Sequence, residues 1–421
     1  MSAWAAGTFR SLRVYNYRLW AAGSLVSNIG TWMQRIAQDW LVLTELTHHS
    51  AAQVGIVTGL QFGPQLLFLP WTGAAADIFN QRKLMLITQS VMGLLAIALG
   101  LMTLGGTIQL WQVYIFAFAL GTAAAFDAPA RQTFVSEMVG EEDLANAVAL
   151  NSMTFNGARM IGPAAAGLLI GSVGTGWAFL LNGVSYFAVV VSLLMLRTKE
   201  LHPTQRARLM RGSFAEGLRY VRGRADLIAM LVMLFLIGTF GMNFAIYTST
   251  MAVRIFHADA GGYGVLSSMM AIGTITGALI AAGRTRSTFA QLIVGTGAFG
   301  LGCAFAALAP GYWYYGAALV MIGIASLSFL NSSNSLMQLT TEPTMRGRVM
   351  AIRMAIVMGG TPLGAPLVGW VADQFGPRQA LAVGAVSGFL AALVGVVHVA
   401  RTDNINRASR EIPPTPGESL K

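Results

Sequence analysis

Residues 84–104 read LMLITQSVMGLLAIALGLMTL, 21 positions without a charged side chain. A bilayer core about 30 Å thick is crossed by about 20 such residues in a helix. Inside hydrocarbon every backbone N–H and C=O needs a partner, and the run lacks the apolar–polar alternation of a barrel strand, so it reads as a membrane-spanning helix. Outward from this run the same pattern recurs along the chain. Predicted spans fall near 19–46, 52–76, 84–104, 109–127, 145–171, 176–196, 227–252, 262–283, 288–308, 312–335, 349–371 and 379–400. The expectation is an all-α membrane protein with twelve transmembrane helices.

Composition agrees. Of 421 residues 55% are hydrophobic and 10% charged, whereas soluble domains carry roughly 25% charged residues. Forty-eight glycines suit membrane helices, which associate by close backbone approach; Gly295, Gly297, Gly300 and Gly302 form one cluster. The apolar run after Met1–Arg18 is too long for a cleavable signal, so the first helix itself is expected to insert. Cys303 reads as a small core residue. The adjacent His48 and His49 lack a supporting Cys or carboxylate cluster, and no metal site is expected.

The net charge of +10 is explained by topology rather than by nucleic acid. With the N-terminus inside, inner loops and tails hold 22 of the 27 basic residues, which is the bias of cytoplasmic loops facing anionic headgroups. Both termini are therefore predicted to be cytoplasmic, in a multi-pass protein of the cell inner membrane. Nothing resembles a nucleic-acid motif. Five cations remain: Arg35, Arg159 and Arg353 within predicted helices, and Arg254 and Arg378 at outer helix ends.

The longest polar interval divides six helices from six. The expected organisation is an N-terminal bundle (1–196), a cytoplasmic linker (197–226), a C-terminal bundle (227–400) and a disordered tail (401–421) that loses periodicity and gains Pro413, Pro414 and Pro416. In the linker, Ser213 and Glu216 form a capping-box pattern ahead of Phe214, Leu218 and Val221 at helical spacing, predicting an interfacial helix on the inner leaflet. The halves echo one another: Gly162, Pro163 and Gly167 in the fifth span answer Pro362, Gly364 and Pro366 in the eleventh, as in duplicated transporters.

Charges within a bilayer cost several kcal/mol unless paired or hydrated, which makes Arg35, Asp39 and Arg159 functional candidates. Arg35 and Asp39 are spaced i, i+4 on one helix face with Gln38 beside them, suiting a pair that protonation of Asp39 would release. Arg159, with Asn156 nearby, is expected at similar depth. Asp39 would carry a coupling proton while Arg35 and Arg159 orient an anionic or zwitterionic cargo; a structural ion pair accounts for the same residues. On the tenth span Asn331, Asn334 and Gln338 fall on one polar stripe, read as cavity lining or as interhelix contacts.

The loop after the second span, Gly73-Ala-Ala-Ala-Asp77-Ile-Phe-Asn80-Gln81-Arg82-Lys83, resembles the signature between helices two and three of the major facilitator superfamily. Residues 125–167 (AFDAPARQTFVSEMVGEEDLANAVALNSMTFNGARMIGPAAAG), 30–44 (GTWMQRIAQDWLVLT) and 346–352 (RGRVMAI) resemble its enterobactin, macrolide and tetracycline efflux branch, of transmembrane secretion effector type. The resemblance implies two pseudo-symmetric six-helix bundles. It also implies a conformational latch of the outward-facing state drawn from Gly73, Asp77, Arg82 and Asp127, although Ile78, Asn80 and Gln81 depart from the family pattern. Gly162, Pro163 and Gly167 resemble the antiporter motif of helix five, with Ala158 and Ala166 in place of two of its glycines; a packing kink accounts for them equally.

The resulting expectation is a secondary transporter, with proton-coupled efflux of small lipophilic compounds such as drugs, siderophores or metabolites by alternating access. No Walker loop supports an ATP-driven pump, so the energy source is an ion gradient and no cofactor is expected. An importer of the same fold is the alternative. A lipid-modifying enzyme would need a nucleophile or metal constellation that the sequence lacks. Expected partners are a small-molecule substrate and membrane lipids, for a monomer.

Overall fold

A computed structural model describes residues 9–202, 214–283 and 287–411. Among them nine helices are long and apolar enough to cross a membrane. One of the nine, Leu110–Val173, is two helices joined at Gly140. Tyr15–Trp40 and the broken pair Ala51–Leu67 and Leu69–Ile78 add two more, which makes twelve: α1 (Tyr15–Trp40, continued by a π-turn at Leu41–Leu46), α2 (Ala51–Leu67 and, after a break, Leu69–Ile78), α3 (Gln81–Leu104), α4 (110–139), α5 (141–173) and α6 (Thr175–Leu194). The second half holds α7 (Ala225–Ile255), α8 (Ala260–Ala282), α9 (Phe289–Leu308), α10 (Tyr312–Thr340), α11 (Arg346–Gln374) and α12 (Pro377–Glu411).

Local chemistry sets the breaks. Pro70 in the first turn of Leu69–Ile78 has no N–H for the carbonyl one turn back, and α2 divides at Phe68. Between α4 and α5 the chain stays helical where the predicted spans left 128–144 outside the membrane. Ala130, Phe134, Val135, Met138 and Val139 recur on one face and pack against Tyr17, Trp20 and Met85, so an amphipathic extension leaves the bilayer along the bundle. The reversal is delegated to Gly140, whose φ of +67° disfavours any residue with a Cβ. The short arm is also anchored: Arg10 pairs with Asp143, and Ser11 Oγ donates to the Asp143 carbonyl over 3.0 Å.

The linker helix, Phe214–Arg222, forms where amphipathic spacing predicts it, and one side of it is docked on α11. Glu216 pairs with Arg348 of α11 at 3.1 Å, and Gly217 faces Arg348 Cβ. Ser213 of the capping-box pattern and the Phe214 side chain lie outside the described residues. Helix α12 continues to Glu411, through the first part of the stretch predicted to be disordered; residues 412–421 lie outside the described residues.

The two six-helix halves meet along α2–α11 and α5–α8. The face carrying Arg10–Arg13 and the linker helix is here the near face; the opposite one, with loops 47–50 and 256–259, is the far face. At the far ends the backbones touch. A Cβ built on Gly55 would stand 2.4 Å from the Ala365 carbonyl oxygen, one on Gly369 2.5 Å from that of Ala51, and one on Gly264 2.4 Å from that of Pro163. Within the second half the packing at Gly364 is tighter still: a Cβ built there would stand 1.5 Å from the Thr239 oxygen of α7. Gly364→Ala is therefore expected to cost at least the upper end of the roughly 1–3 kcal/mol of overpacking, read as a lowered Tm in detergent. Gly171→Ala, with open space around it, should leave Tm unchanged.

Candidate functional site

The cavity lies between the halves, where α7 is irregular. The α-helix gives way to a π-turn at Ile237–Gly241 and resumes only at Phe244. Asn243 stands in the gap and its Nδ2 donates to the Thr239 carbonyl over 2.7 Å, standing in for lost backbone bonding. Non-helical backbone at membrane depth is tolerated where it is buried or lines a cavity, and Asn243 does both. The cavity measures about 220 Å³. Its walls come from α1 (Trp32, Arg35, Asp39), α2 (Thr58, Gln61, Phe62), α5 (Arg159, Pro163), α7 (Asn243, Phe244, Thr248), α8 (Tyr263, Ser267) and Thr361 of α11.

Asp39, Arg35 and Arg159 all line it, but they are not connected as the spacing suggested. Arg35 and Asp39 form no ion pair. The Asp39 carboxylate instead accepts a hydrogen bond of 2.9 Å from the hydroxyl of Tyr263, which is buried on α8 in the other half. The Tyr263 ring stacks on Trp40, with centroids 6.4 Å apart and planes 20° from parallel. Arg35 lies over Trp32 at 4.5 Å and over Phe62 at 5.2 Å, and Arg159 lies over the same Trp32 at 5.5 Å. Common placement on a helix face allows an i, i+4 pair; here aromatic faces and a distant hydroxyl compete for the two groups and hold them instead.

The other predicted lining residues fall elsewhere. Gln38 is buried with its Oε1 unpartnered, outside the cavity wall. Asn156 donates to the Ser152 carbonyl of its own helix over 2.8 Å. Asn331, Asn334 and Gln338 sit toward the near end of α10, exposed or half-exposed, and none lines the cavity. Among the described residues of the predicted latch, Arg82 and Asp127 do not meet. Arg82 donates to the Leu193 carbonyl at 2.7 Å, satisfying an orphan acceptor at the end of α6. Asp127 accepts from Thr88 and Gln89 at 2.8 Å each and pairs with Arg131 at 3.1 Å, all inside its own half. Gly73 has open space around it, and the Asp77 side chain lies outside the described residues. The helix-five motif is a packing element: a Cβ on Gly162 would stand 2.6 Å from Trp32 Cβ and one on Gly167 2.7 Å from the Ala260 oxygen, seating α5 on α1 and α8.

Spacing also missed a polar junction at the far face. The Asp373 carboxylate on α11 accepts from the backbone N–H groups of Ala51 (2.8 Å) and Ala52 (2.9 Å) and from Ser50 Oγ (2.8 Å), at the start of α2 in the opposite half. Arg254 of α7 pairs with Asp373 at 2.5 Å and donates to the His49 carbonyl. Among the described residues, every hydrogen bond between the two halves lies from mid-membrane to the far face, the others being Tyr263 to Asp39 and Ser268 to the Met160 carbonyl.

Comparison with known proteins places this arrangement. A family model described as transmembrane secretion effector matches residues 6–420. The chain belongs to that family. It is 26% identical over 375 residues to a staphyloferrin A transporter of Staphylococcus aureus, covering 87% of this chain and 92% of the relative. It is also 26% identical over 389 residues to an enterobactin exporter of Escherichia coli O1:K1, covering 89% and 88%. Among solved structures, a bacterial homologue of the human lysosomal transporter Spinster superposes with a TM-score of 0.69 at 16% identity, over 92% of this chain and 95% of that one. A nucleoside transporter superposes at 0.74 and 12% identity, over 91% and 99%. The protein is thus a multi-pass secondary transporter of the major facilitator fold, with two pseudo-symmetric six-helix bundles, and the relatives that define its family are transporters rather than enzymes.

Proposed function

We propose that this transporter exports small lipophilic compounds, such as drugs, siderophores or metabolites, in exchange for protons by alternating access. The observation that carries the reading is the hydrogen bond between Asp39 of α1 and Tyr263 of α8. It puts a titratable group on the boundary that must open and close. Taking up or losing a proton there changes the strength of a contact between the halves, which is what coupling requires. No cofactor takes part; the proton gradient supplies the energy.

In this reading the near face and both termini are cytoplasmic and the membrane is the inner one, which the excess of basic residues in the near-face loops supports. With Asp373 and the α2–α11 and α5–α8 contacts joining the far ends, the conformation is on this reading closed on its outer side. Gly73, Asp77, Arg82 and Asp127 would form their latch only in the outward-facing state, in keeping with the separate bonds that Arg82 and Asp127 make here. Gly162, Pro163 and Gly167 form the surface on which α5 rocks against α1 and α8. In this reading Gln38, Asn156, Asn331, Asn334 and Gln338 serve the cargo route rather than the central cavity. The transporter acts as a monomer with a small-molecule cargo and surrounding lipid, and without nucleic acid. The direction, export, is supported by the similarity to an enterobactin exporter.

The test is transport in proteoliposomes against a panel of siderophores, macrolides and tetracyclines. An imposed proton gradient is expected to drive at least one of them against its concentration gradient, and a protonophore to abolish that movement. Accumulation indifferent to the protonophore would remove the proton from the mechanism.

A further inference from the structure

The central cavity holds two guanidinium groups, and neither forms an ion pair or donates a hydrogen bond to any described residue. The single carboxylate in the wall, Asp39, is engaged by Tyr263. Arg35 Nε is buried without a partner. What holds both cations is aromatic: each rides on Trp32, and Arg35 also on Phe62.

A ring attracts a guanidinium but accepts no hydrogen bond in the plane of its N–H groups, so donors held against Trp32 and Phe62 still call for an acceptor. With one carboxylate, Asp39, set against two cations in the wall, the cavity keeps an excess of positive charge inside the membrane. A cation at that depth is costly unless it meets an opposite charge or water, and two cations on one ring also repel. Each consideration favours an oxyanion in the cavity, whose two oxygens match a guanidinium edge. The apolar remainder of the wall, including Phe62 and Phe244, suits a flat hydrocarbon body attached to that anion.

We infer that Arg35 and Arg159 form the recognition site for an organic oxyanion, so that this transporter selects aromatic carboxylates or related anions over cationic and neutral compounds of the same shape. The inference deepens the export reading by naming the cargo class, and it is tested by equilibrium binding, which needs no gradient. Loss of transport coupling would leave it standing, and loss of anion selectivity would leave proton-driven transport standing.

The experiment is calorimetric titration of the purified protein in neutral detergent with 1-naphthoate, 1-naphthamide and 1-naphthylmethylammonium. Naphthoate is expected to bind at least about 30-fold more tightly than either analogue, the scale of leaving a buried charge unpaired. Arg159→Gln and Arg35→Gln should each lose most of that preference while keeping the weak affinity for naphthamide. If a variant does not elute as a folded monomer, the three-ligand comparison on the wild type decides alone. Equal affinity for all three, or no heat from naphthoate at millimolar concentration, overturns the inference. A lipid headgroup offers the same chemistry, so naphthoate binding is repeated with phosphatidylglycerol present. Undiminished binding supports a cargo site; displacement by the lipid would reassign the anion to a headgroup and overturn the cargo reading.

Discussion

Replacing Asp373 with alanine is expected to open the far face. One carboxylate there accepts from two backbone N–H groups and one hydroxyl at the start of α2, which belongs to the other half. These three bonds exist only while the far ends are together. Hydrogen bonds to a charged group are worth about 1.5–3 kcal/mol each, and helix N-caps about 0.5–2. Because Asp373 is partly exposed, with 19% of its side chain accessible, the combined bias is best taken as about 2 kcal/mol, or roughly 30-fold in the equilibrium between closed and open far faces. Arg254 contributes differently. Its pair with Asp373 lies within one half and survives opening, but its bond to the His49 carbonyl does not. Ser50→Ala should therefore shift the equilibrium less than Asp373→Ala. The measurement is the distance between spin labels at Thr107 and Pro310, exposed in far-face loops of opposite halves, with Cys303 changed to Ser so that no other thiol competes. A long-distance population should grow at the expense of the short one. An unchanged distribution would mean that the backbone contacts at Gly55, Gly264 and Gly369 hold the far face without help.

The fold was legible because its cause is local. Leu84–Leu104 must be helical whatever surrounds it, since hydrocarbon offers no other partner for its backbone. Places where the expected spans failed also have local causes, but ones that hydropathy averages away: residues 128–139 extend α4 because their apolar positions recur with helical period, and one glycine makes the turn at 140. The site was legible only as an inventory. Asp39, Arg35 and Arg159 could be picked out because a charge inside a membrane is rare, and all three do line the cavity. Their connections could not be read. Spacing says which residues share a helix face, not which neighbours that face meets, and Tyr263 is 224 positions from Asp39 in the chain. A tyrosine in an apolar helix carries no signal of its own. Trp32 was within reach, since it precedes Arg35 by one helical turn, the spacing at which a guanidinium can fold onto a ring. Asp373 and Arg254 stood at helix ends, where charges are ordinary, and only the approach of α2 gives them a shared role. The polar stripe of α10 could not be placed for the converse reason: helical period identifies a stripe but not whether cavity, protein or solvent receives it.

Exchanging Asp39 for asparagine should separate coupling from binding. The amide has nearly the shape of the acid and still offers an oxygen to the Tyr263 hydroxyl, so the contact between α1 and α8 persists while the group can no longer change charge. Gradient-driven accumulation of cargo in proteoliposomes is expected to fall at least about 100-fold, to the background of empty vesicles. Exchange of labelled for unlabelled cargo without a gradient should continue, because it requires the conformational change but no net proton movement. Tyr263→Phe makes the complementary change. It keeps a titratable Asp39 and removes its partner, at a cost of about 1.5–3 kcal/mol for a bond to a charged acceptor, and a variant that still couples but pumps more slowly is the expected result. If the hydrogen bond only fastened the halves together, the phenylalanine variant would be the more damaged of the two and the asparagine variant would pump normally. If the carboxylate is the proton carrier, the order reverses, and the pair of measurements distinguishes a fastener from a switch at the same 2.9 Å contact.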